Sequence, residues 1–357
     1  MALKHTFLRT LQVLVITLMT LLAVTWAVFI PSAREPGYVF VKAWGEPGAG
    51  PGQFSDPTGI AVVDGEVFVA DARNGRIQVF DLEGNFIRQF GRPGDGLGEL
   101  GRPMNLSLRA GELYVPEYFN DRIQVFGLDG TPKRTLGETG TGPGQFSAPG
   151  GVAVSEDGHL FVADFYNQRV QELTADGGFV QQWGTTGKIG VAAGKFNYPT
   201  DVALGENATL YVADGYADRV QAFAADGDFL SKWGGPFAMN IFGPFNGWFA
   251  TVTSLAVDPE GNVFVADFYN DRVQKFASDG TFLTTFGETG KGPGQFQHAM
   301  AVAIAEDGSV FVTDLLNNRI QKWQPREPLN NSMVTLVFIR FRYRGALSQA
   351  CVGLSRK

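Results

Sequence analysis

Residues 160–173 read LFVADFYNQRVQEL, and close copies of this stretch recur along the chain. The copies share an acidic residue at the fifth position, followed five residues later by Arg-Val-Gln or Arg-Ile-Gln. There are six of them, at 67–80, 113–126, 160–173, 210–223, 263–276 and 310–323. Their arginines follow one another at intervals of 46, 47, 50, 53 and 47 residues. A period of this length predicts that each unit is one blade of a β-propeller.

Each unit divides into four short runs of alternating apolar and polar residues. Around the quoted stretch these runs are GVAVS at 151–155, HLFVAD at 159–164, RVQELT at 169–174 and FVQQWG at 179–184. Glu-Asp-Gly and Asp-Gly-Gly stand between runs, where a tight hairpin needs positive φ. The pattern predicts an all-β fold with four strands per unit, from an inner to an outer strand.

The stretch YVFVKAWG at 38–45 resembles the outer strands, yet no unit precedes it. The sixth copy, in turn, ends near Pro325 without an outer strand of its own. We therefore expect the N-terminal strand 38–45 to complete blade 6 and to close the ring, which removes the open sheet edges. The prediction is a six-bladed β-propeller over residues 38–324.

The units resemble the NHL repeat family. They carry its order of acidic residue, Asn and Arg-Ile/Val-Gln, and its Gly-x-Gly-Pro-Gly-Gln-Phe loop at 48–54, 140–146 and 290–296. The resemblance implies an NHL-like six-bladed propeller. It does not imply one activity, because a propeller scaffold hosts many functions.

Residues 11–30 form twenty consecutive positions without a charged side chain, enough for a helix to cross a bilayer. Lys4 and Arg9 precede this run, so the positive-inside rule places residues 1–10 in the cytoplasm. We expect an uncleaved transmembrane signal anchor, with the propeller on the periplasmic or extracellular side. The alternative is a cleaved signal peptide and a secreted protein.

Charge is distributed unevenly along the chain. The net charge is -7, but residues 36–325 contain 20 basic and 34 acidic side chains, and the tail at 325–357 is basic. An acidic domain disfavours nucleic acid as a partner. The tail reads as an amphipathic strand or a basic segment facing anionic lipid or the propeller. Cys351 is the one cysteine, so no intramolecular disulfide forms.

Residues that every unit repeats are expected to serve the scaffold. They include the six acidic residues, which are predicted to end a strand and accept hydrogen bonds from turn amides or from arginine. The acidic residues are Asp71, Glu117, Asp164, Asp214, Asp267 and Asp314.

Function is expected where the copies differ. The turns between the second and third strands carry aromatic residues on blades 2 to 5 and should share one face of the ring. Aromatic side chains offer contact area with little rotamer entropy to lose, so this arc is predicted to bind a protein, peptide or glycan ligand. The alternative is that the rings pack between blades. The predicted ligand-binding residues are Tyr118, Phe119, Phe165, Tyr166, Tyr216, Phe268 and Tyr269.

The loop between Trp233 and Leu255 is longer than its counterparts and rich in aromatic residues, among them Phe237, Phe242 and Trp248. So much apolar surface in a loop needs a cover. The loop is predicted to plug the channel, cap the face, contact lipid or bind a partner.

The leading functional hypothesis is a membrane-tethered binding or sensing scaffold without a cofactor, more plausibly not an enzyme. A zinc-dependent lyase-like propeller would need several converging histidines, and the chain has three. The alternative is a calcium-dependent, lactonase-like hydrolase. Its metal ligands would be Asn105 and Asp201 at the start of two inner strands, with His298 nearby.

Overall fold

The computed structural model describes residues 2–327, and within its helix the side chains of 2–8, 22–23 and 25–28 are not described. Most of the predicted basic tail therefore lies outside the described residues. An α-helix covers Ala2–Phe29. All other regular structure in the described range consists of β-strands and short 3-10 turns.

Six four-stranded antiparallel sheets follow one another around a ring, each ordered from its inner to its outer strand. Blade 1 has strands Pro57–Val63, Glu66–Asp71, Arg76–Asp81 and Phe86–Phe90; blade 2 has Ser107–Arg109, Glu112–Glu117, Arg122–Gly127 and Pro132–Leu136; blade 3 has Pro149–Val154, Leu160–Asp164, Arg169–Leu173 and Phe179–Gly184. Blade 4 has Pro199–Leu204, Leu210–Asp214, Arg219–Phe223 and Phe229–Trp233; blade 5 has Val252–Val257, Val263–Asp267, Arg272–Phe276 and Phe282–Phe286; blade 6 has Ala299–Ile304, Val310–Asp314, Arg319–Pro325 and, as its outer strand, Tyr38–Trp44. The predicted six-bladed all-β propeller is confirmed.

Ring closure by the N-terminal strand is also confirmed. Tyr38–Trp44 pairs antiparallel with Arg319–Pro325, from Tyr38 opposite Pro325 to Trp44 opposite Ile320. The indole of Trp44 then packs against Phe311 of blade 6 and Phe80 of blade 1, at centroid distances of 6.0 Å each. One strand therefore completes the last sheet and joins it to the first.

The core lies between neighbouring blades. Each lead-in loop, the segment that joins the outer strand of one blade to the inner strand of the next, buries one large apolar side chain in this interface. For blades 3 and 4 these are Phe146 and Phe196, both fully buried. Phe196 belongs to a cluster with Trp183 of blade 3 and Phe223 of blade 4. Apolar burial thus stabilises the contact between blades as well as each sheet.

The repeated carboxylates are scaffold groups, as expected. Asp164 Oδ2 accepts hydrogen bonds from Asn167, Arg169 and Gln171 at 2.9, 2.8 and 3.2 Å, and Oδ1 accepts the Ser147 N–H at 2.8 Å. The Arg169 guanidinium also donates to three lead-in carbonyls at 2.8 to 3.0 Å. All six repeated carboxylates are completely buried. Each cluster therefore ties a turn to its own lead-in loop.

The end of the helix contacts the long lead-in loop of blade 5. The Trp248 indole N–H donates to the Phe29 carbonyl at 2.5 Å, and the ring of Phe237 lies 5.2 Å from that of Phe29. Counting only the residues that the structure describes, no helix offers a stretch long and apolar enough to cross a membrane. The transmembrane anchor predicted at 11–30 is therefore not supported by the structure.

Removal of the closing strand tests the ring. A chain covering 46–327 should aggregate or form oligomers and melt about 10 °C or more below a chain covering 34–327, because the edge of Arg319–Pro325 loses its partner. Light scattering after gel filtration and a thermal melt measure both effects. A monomeric 46–327 chain with an unchanged melting temperature would contradict the closure argument.

Candidate functional site

The aromatic turns lie on the face of the ring that also carries the lead-in loops, named here the upper face. Main-chain hydrogen bonds hold the turns against these loops: Tyr166 donates its N–H to Ser147 at 3.1 Å, and Tyr216 donates to Asn197 at 3.0 Å. A buried scaffold carboxylate, such as Asp164 or Asp214, stands directly before each of these turns. The aromatic side chains therefore project from a backbone that is fixed on both sides.

The structure joins the predicted aromatic residues of blades 2 to 4 through ring contacts, and Phe268 and Tyr269 of blade 5 line the same cavity. The Tyr118 and Tyr166 hydroxyls form a hydrogen bond of 2.8 Å between blades 2 and 3. Phe165 lies 6.1 Å from Tyr216, which links blades 3 and 4. The rings contact one another between blades, as the alternative hypothesis required. They nevertheless remain accessible, with exposed fractions of 68% for Phe119, 51% for Tyr166, 49% for Tyr216 and 59% for Tyr269.

Tyr198 belongs to the arc and was missed from the sequence. Its ring lies 4.9 Å from Phe165 and 5.2 Å from Tyr216, so it fills the step between blades 3 and 4. It comes from a lead-in loop, directly before the inner strand, and not from an aromatic turn. Alignment of the six lead-in loops would have shown that this position varies, but not that the side chain reaches the arc.

The position that Tyr198 occupies has a left-handed backbone in every blade. The six residues are Asp56, Arg102, Ala148, Tyr198, Thr251 and His298, with φ between 55° and 67°. None is glycine, although this region favours glycine. In five blades the N–H of this residue donates to a side chain of the preceding blade, at 2.6 to 3.1 Å. At Arg102 the corresponding residue of the preceding blade is Gly75, which has no side chain to accept the bond.

His298 packs with the arc. Its ring is stacked on Phe268 with centroids 4.3 Å apart and lies edge-on to Tyr269 at 5.3 Å. It lines neither of the two channel cavities described below. The ring of His298, predicted to lie near Asn105 and Asp201, thus packs against Phe268 and Tyr269 of blade 5 and lines neither cavity.

A cavity of about 240 Å³ opens at the centre of the upper face and is named here the mouth cavity. Its aromatic wall comes from four blades and consists of Tyr118, Phe165, Tyr216, Phe268 and Tyr269. The threonine hydroxyls beneath are engaged: those of Thr58, Thr200 and Thr253 donate to backbone carbonyls at 2.7 to 2.8 Å. Arg102 is the one charged side chain among the described residues that line the cavity.

A second cavity of about 200 Å³ lies below the first, and Asn105 lines both. The Asn105 amide donates across the channel to the Thr253 carbonyl at 3.0 Å, so blade 2 touches blade 5. Asn105 is 5% exposed, and its Oδ1 has no partner among the described residues. The Asn105 side chain thus lies between the two cavities, and its Oδ1 is a buried acceptor without a hydrogen bond.

Asp201 lies in the lower cavity and has an unusual environment. Its Oδ2 accepts the Leu255 N–H at 2.9 Å, and the side chain is 4% exposed. Burial raises the pKa of Asp201 to about 7, while the Leu255 N–H and the nearby Asn105 side chain oppose the shift. Asn105 and Asp201 both line the lower cavity, but Asp201 does not line the mouth cavity.

The residues around this pair fit a calcium ion poorly. Asp201 is the one carboxylate in the lower cavity, and it already accepts a main-chain hydrogen bond. Within residues 2–327 no group of three or more His, Cys, Asp or Glu side chains is arranged to hold a metal. Calcium prefers six to eight oxygen ligands with several carboxylates. The calcium-dependent alternative therefore stays a prediction that the residues lining this cavity do not favour.

A cavity of about 390 Å³ on the opposite face is lined by both apolar and charged side chains. It lies beside the closing strand and includes Glu35, Asp258 and Lys275 in its wall. The Lys275 ammonium lies 3.0 Å from Glu35 and 3.6 Å from Asp258. These ion pairs hold the chain before the closing strand, which makes this cavity a structural feature rather than the leading ligand site.

Comparison with known proteins supports the repeat and the fold. The NHL repeat profile matches residues 54–80, 146–173 and 249–276, in blades 1, 3 and 5, so the chain carries NHL repeats. A B-box type zinc finger protein, ncl-1 of Caenorhabditis elegans, is 54% identical over 44 residues. That match spans 12% of this chain and 5% of the C. elegans protein.

Solved propellers resemble the whole ring at low identity. A protein of unknown function from Bacteroides thetaiotaomicron has a TM-score of 0.61 at 15% identity and covers 83% of this chain and 84% of its own. Virginiamycin B lyase from Staphylococcus aureus has a TM-score of 0.52 at 15% identity, with 76% and 96% covered. A gluconolactonase from Xanthomonas campestris has a TM-score of 0.56 at 14% identity, with 84% of this chain and 100% of its own covered. At these identities the likeness extends to the fold alone.

Replacement of Asp201 by Asn tests the buried carboxyl group. The pKa of Asp201 is about 7 in the folded protein against an ordinary 3.8, so the folded state holds the proton more tightly. Wild-type stability contributed by this group is present at low pH and is lost as pH rises from about 4 through 7. The melting temperature of Asp201→Asn minus that of the wild type should therefore increase from pH 5 to pH 8. A difference that stays constant from pH 5 to pH 8 would show that Asp201 is already ionised in the folded protein at pH 5.

Proposed function

We propose that this NHL-repeat propeller is a binding or sensing scaffold that holds a protein or peptide ligand on its upper face, and that residues 11–30 tether it to a membrane with the propeller outside the cytoplasm. The observation that supports binding is the accessible aromatic arc around the mouth cavity. Its rings come from four blades, and four of the seven predicted rings are about half exposed or more, although main-chain hydrogen bonds hold the turns against the lead-in loops.

The arc has the physical properties of a recognition surface. Its rings contact one another across blades, so a ligand meets a surface that is already ordered and the entropy cost of binding is small. Tyrosine combines a large apolar ring with a hydroxyl group, which suits a ligand contact that is partly exposed to water. Burial and the hydrogen bond to Tyr166 raise the pKa of Tyr118, so its hydroxyl stays protonated and keeps this geometry at neutral pH.

Alanine substitution of Tyr166 and Tyr269 tests the binding surface. Both side chains are more than half exposed, so the variants should fold normally. They should lose about tenfold or more in affinity for the best ligand found on peptide and glycan arrays, as expected for aromatic anchors at the centre of an interface. Biolayer interferometry measures the affinity, and a thermal melt confirms the fold.

Two further variants serve as controls for that experiment. Phe179→Ala removes an exposed aromatic ring from an outer strand and should leave binding unchanged. Arg169→Ala should instead unfold the protein more easily, by about 3–5 kcal/mol, because buried Asp164 loses its ionic partner. Normal stability in Arg169→Ala, or unchanged binding in both tyrosine variants, would show that scaffold and site have been assigned wrongly.

The proposed tether is supported by the uncharged run at 11–30 and by an apolar surface next to the end of the helix. The lead-in loop of blade 5 exposes Phe237 and Phe242 by 70% and 72%, and Met239 by 51%. The ring of Phe237 contacts Phe29, so this surface begins where the helix ends. Aromatic side chains in such a place suit the interface between lipid and water.

Membrane fractionation tests the tether. The full chain should remain in the membrane pellet after an alkaline carbonate wash, and protease added outside the cell or to spheroplasts should digest the propeller. A chain that begins at residue 34 and lacks the uncharged run should be released. Full-length protein in the carbonate supernatant would exclude the anchor, and a protease-resistant propeller in intact spheroplasts would exclude the proposed orientation.

A further inference from the structure

The mouth cavity combines three chemical features that together specify a ligand more closely than the aromatic arc does. It has an apolar aromatic wall, one cationic group whose N–H donors make no hydrogen bond to the described residues, and one unsatisfied buried acceptor. The second and third features are Arg102 and Asn105, three residues apart in the lead-in loop of blade 2. Neither was singled out as a ligand-binding residue by the aromatic pattern.

Arg102 has donors to spare, unlike the scaffold arginines. Its closest carboxylate oxygen is Asp56 Oδ2 at 4.0 Å, and that oxygen is already bound by Arg73 Nε at 2.5 Å. The guanidinium is instead positioned over the ring of Phe119, 5.8 Å from its centroid. Within the described residues Arg102 makes no side-chain hydrogen bond. A guanidinium presented in this way favours a carboxylate, which accepts two parallel N–H bonds.

Asn105 supplies the complementary group. Asn105 lines the mouth cavity, and its buried Oδ1 accepts no hydrogen bond from the described residues. A buried acceptor without a partner is costly, so a ligand that brings an N–H or O–H donor gains more here than at an exposed site. A ligand of the mouth cavity therefore gains most if it brings a hydrogen-bond acceptor to Arg102 and a donor to Asn105.

A groove leads outward from Arg102 between blades 1 and 2. It measures about 540 Å³, and Gly75, Leu100, Arg102 and Phe119 are among its lining residues. At this interface Gly75 replaces the side chain that elsewhere bridges two blades. Its φ is 58°, and an added Cβ would approach Pro93 Cα to 2.8 Å. The mouth cavity and the groove share Arg102, so an extended ligand fits them better than a compact one.

We propose that the mouth cavity and this groove bind the C-terminus of an extended peptide, with its carboxylate on Arg102, its last N–H directed to Asn105 Oδ1 and an apolar last side chain against the aromatic wall. This inference rests on the proposed binding function. The cavity volume of about 240 Å³ suits a single side chain. Drug-sized ligands commonly occupy roughly 300–1,000 Å³.

A glycan is the less favoured ligand for this cavity. Sugar hydroxyls need many hydrogen-bond partners, but the hydroxyls of Thr58, Thr200 and Thr253 already donate to backbone carbonyls. For any anionic ligand, the propeller offers no long-range attraction, because it has more acidic than basic side chains. Recognition of the carboxylate must therefore occur by contact with Arg102, which makes it testable at one residue.

The experiment compares paired peptides on the propeller of residues 34–327 and on the full chain. The probes are fluorescein-labelled hexapeptides ending in Leu, Phe, Tyr or Trp, each as free acid and as C-terminal amide, together with an oligosaccharide of uronic acids. Fluorescence anisotropy gives the affinities. The wild type should prefer the free acid by roughly tenfold, the worth of one charge-assisted contact.

Three arginine variants locate the preference. Arg102→Met keeps the apolar stem and should abolish the preference for the free acid, whereas Arg102→Lys should retain part of it because a lysine lacks the bidentate fork. Arg92→Met is the matched control: Arg92 is exposed and pairs with Glu99 in the same lead-in loop. It should behave as the wild type. Melting temperatures confirm that all three variants fold.

The outcomes separate this inference from the proposed function. Equal binding of acid and amide, or a preference that survives Arg102→Met, overturns the carboxylate site, while sensitivity of the same peptides to Tyr166→Ala still supports the binding scaffold. Binding of the uronic acid probe with no peptide bound overturns the peptide class. Failure of every probe overturns the inference as well, and the unbiased arrays then decide the function independently.

Discussion

A buried carboxylate that accepts four hydrogen bonds is the interaction on which the rest of this propeller depends. In blade 3 it joins Asp164 to its own turn, to the third strand and to the lead-in loop through Ser147. The other blades repeat the arrangement, except that blade 4 has Ala217 in place of the asparagine, so that Asp214 accepts hydrogen bonds from three residues. Because the carboxylate is completely buried, the loss of any of these hydrogen bonds would destabilise the folded protein. The cluster therefore fixes the distance between turn and loop, and with it the whole upper face.

This constraint explains how one unit can be both scaffold and site. The carboxylate of each cluster ends a strand, and the next one or two residues carry the aromatic rings. Phe165 and Tyr166 thus follow Asp164 directly. A side chain so close to a buried network has little backbone freedom, which is the condition for a preorganised contact surface. The scaffold residues repeat because each blade needs them, and the turn residues vary because the network tolerates any side chain there.

The sequence was sufficient to predict the repeated blades. It was insufficient to predict contacts between residues that occupy different positions in the repeat. Period, turn residues and the unpartnered strand at 38–45 predicted six blades and their closure. The aromatic arc followed from its position in each repeat. Tyr198 and His298 join the arc from lead-in loops, and the Asn105–Thr253 bond crosses the channel between residues 148 positions apart. Such contacts depend on how blades are placed around the axis, which a single repeat does not contain.

The interface between blades 1 and 2 shows how a departure from the repeat can create a site. Five blade boundaries have a side chain that accepts the N–H of the next left-handed lead-in residue, but Gly75 leaves this bond unmade at Arg102. The groove lies at this boundary, where the backbone of Pro93 and Leu100 approaches Gly75 closely, and the Arg102 guanidinium lies over the ring of Phe119. Had all six boundaries been alike, the face would present a symmetric rim without a unique direction. The boundary that lacks this hydrogen bond, between blades 1 and 2, is therefore the place where an extended ligand can pass out of the mouth cavity.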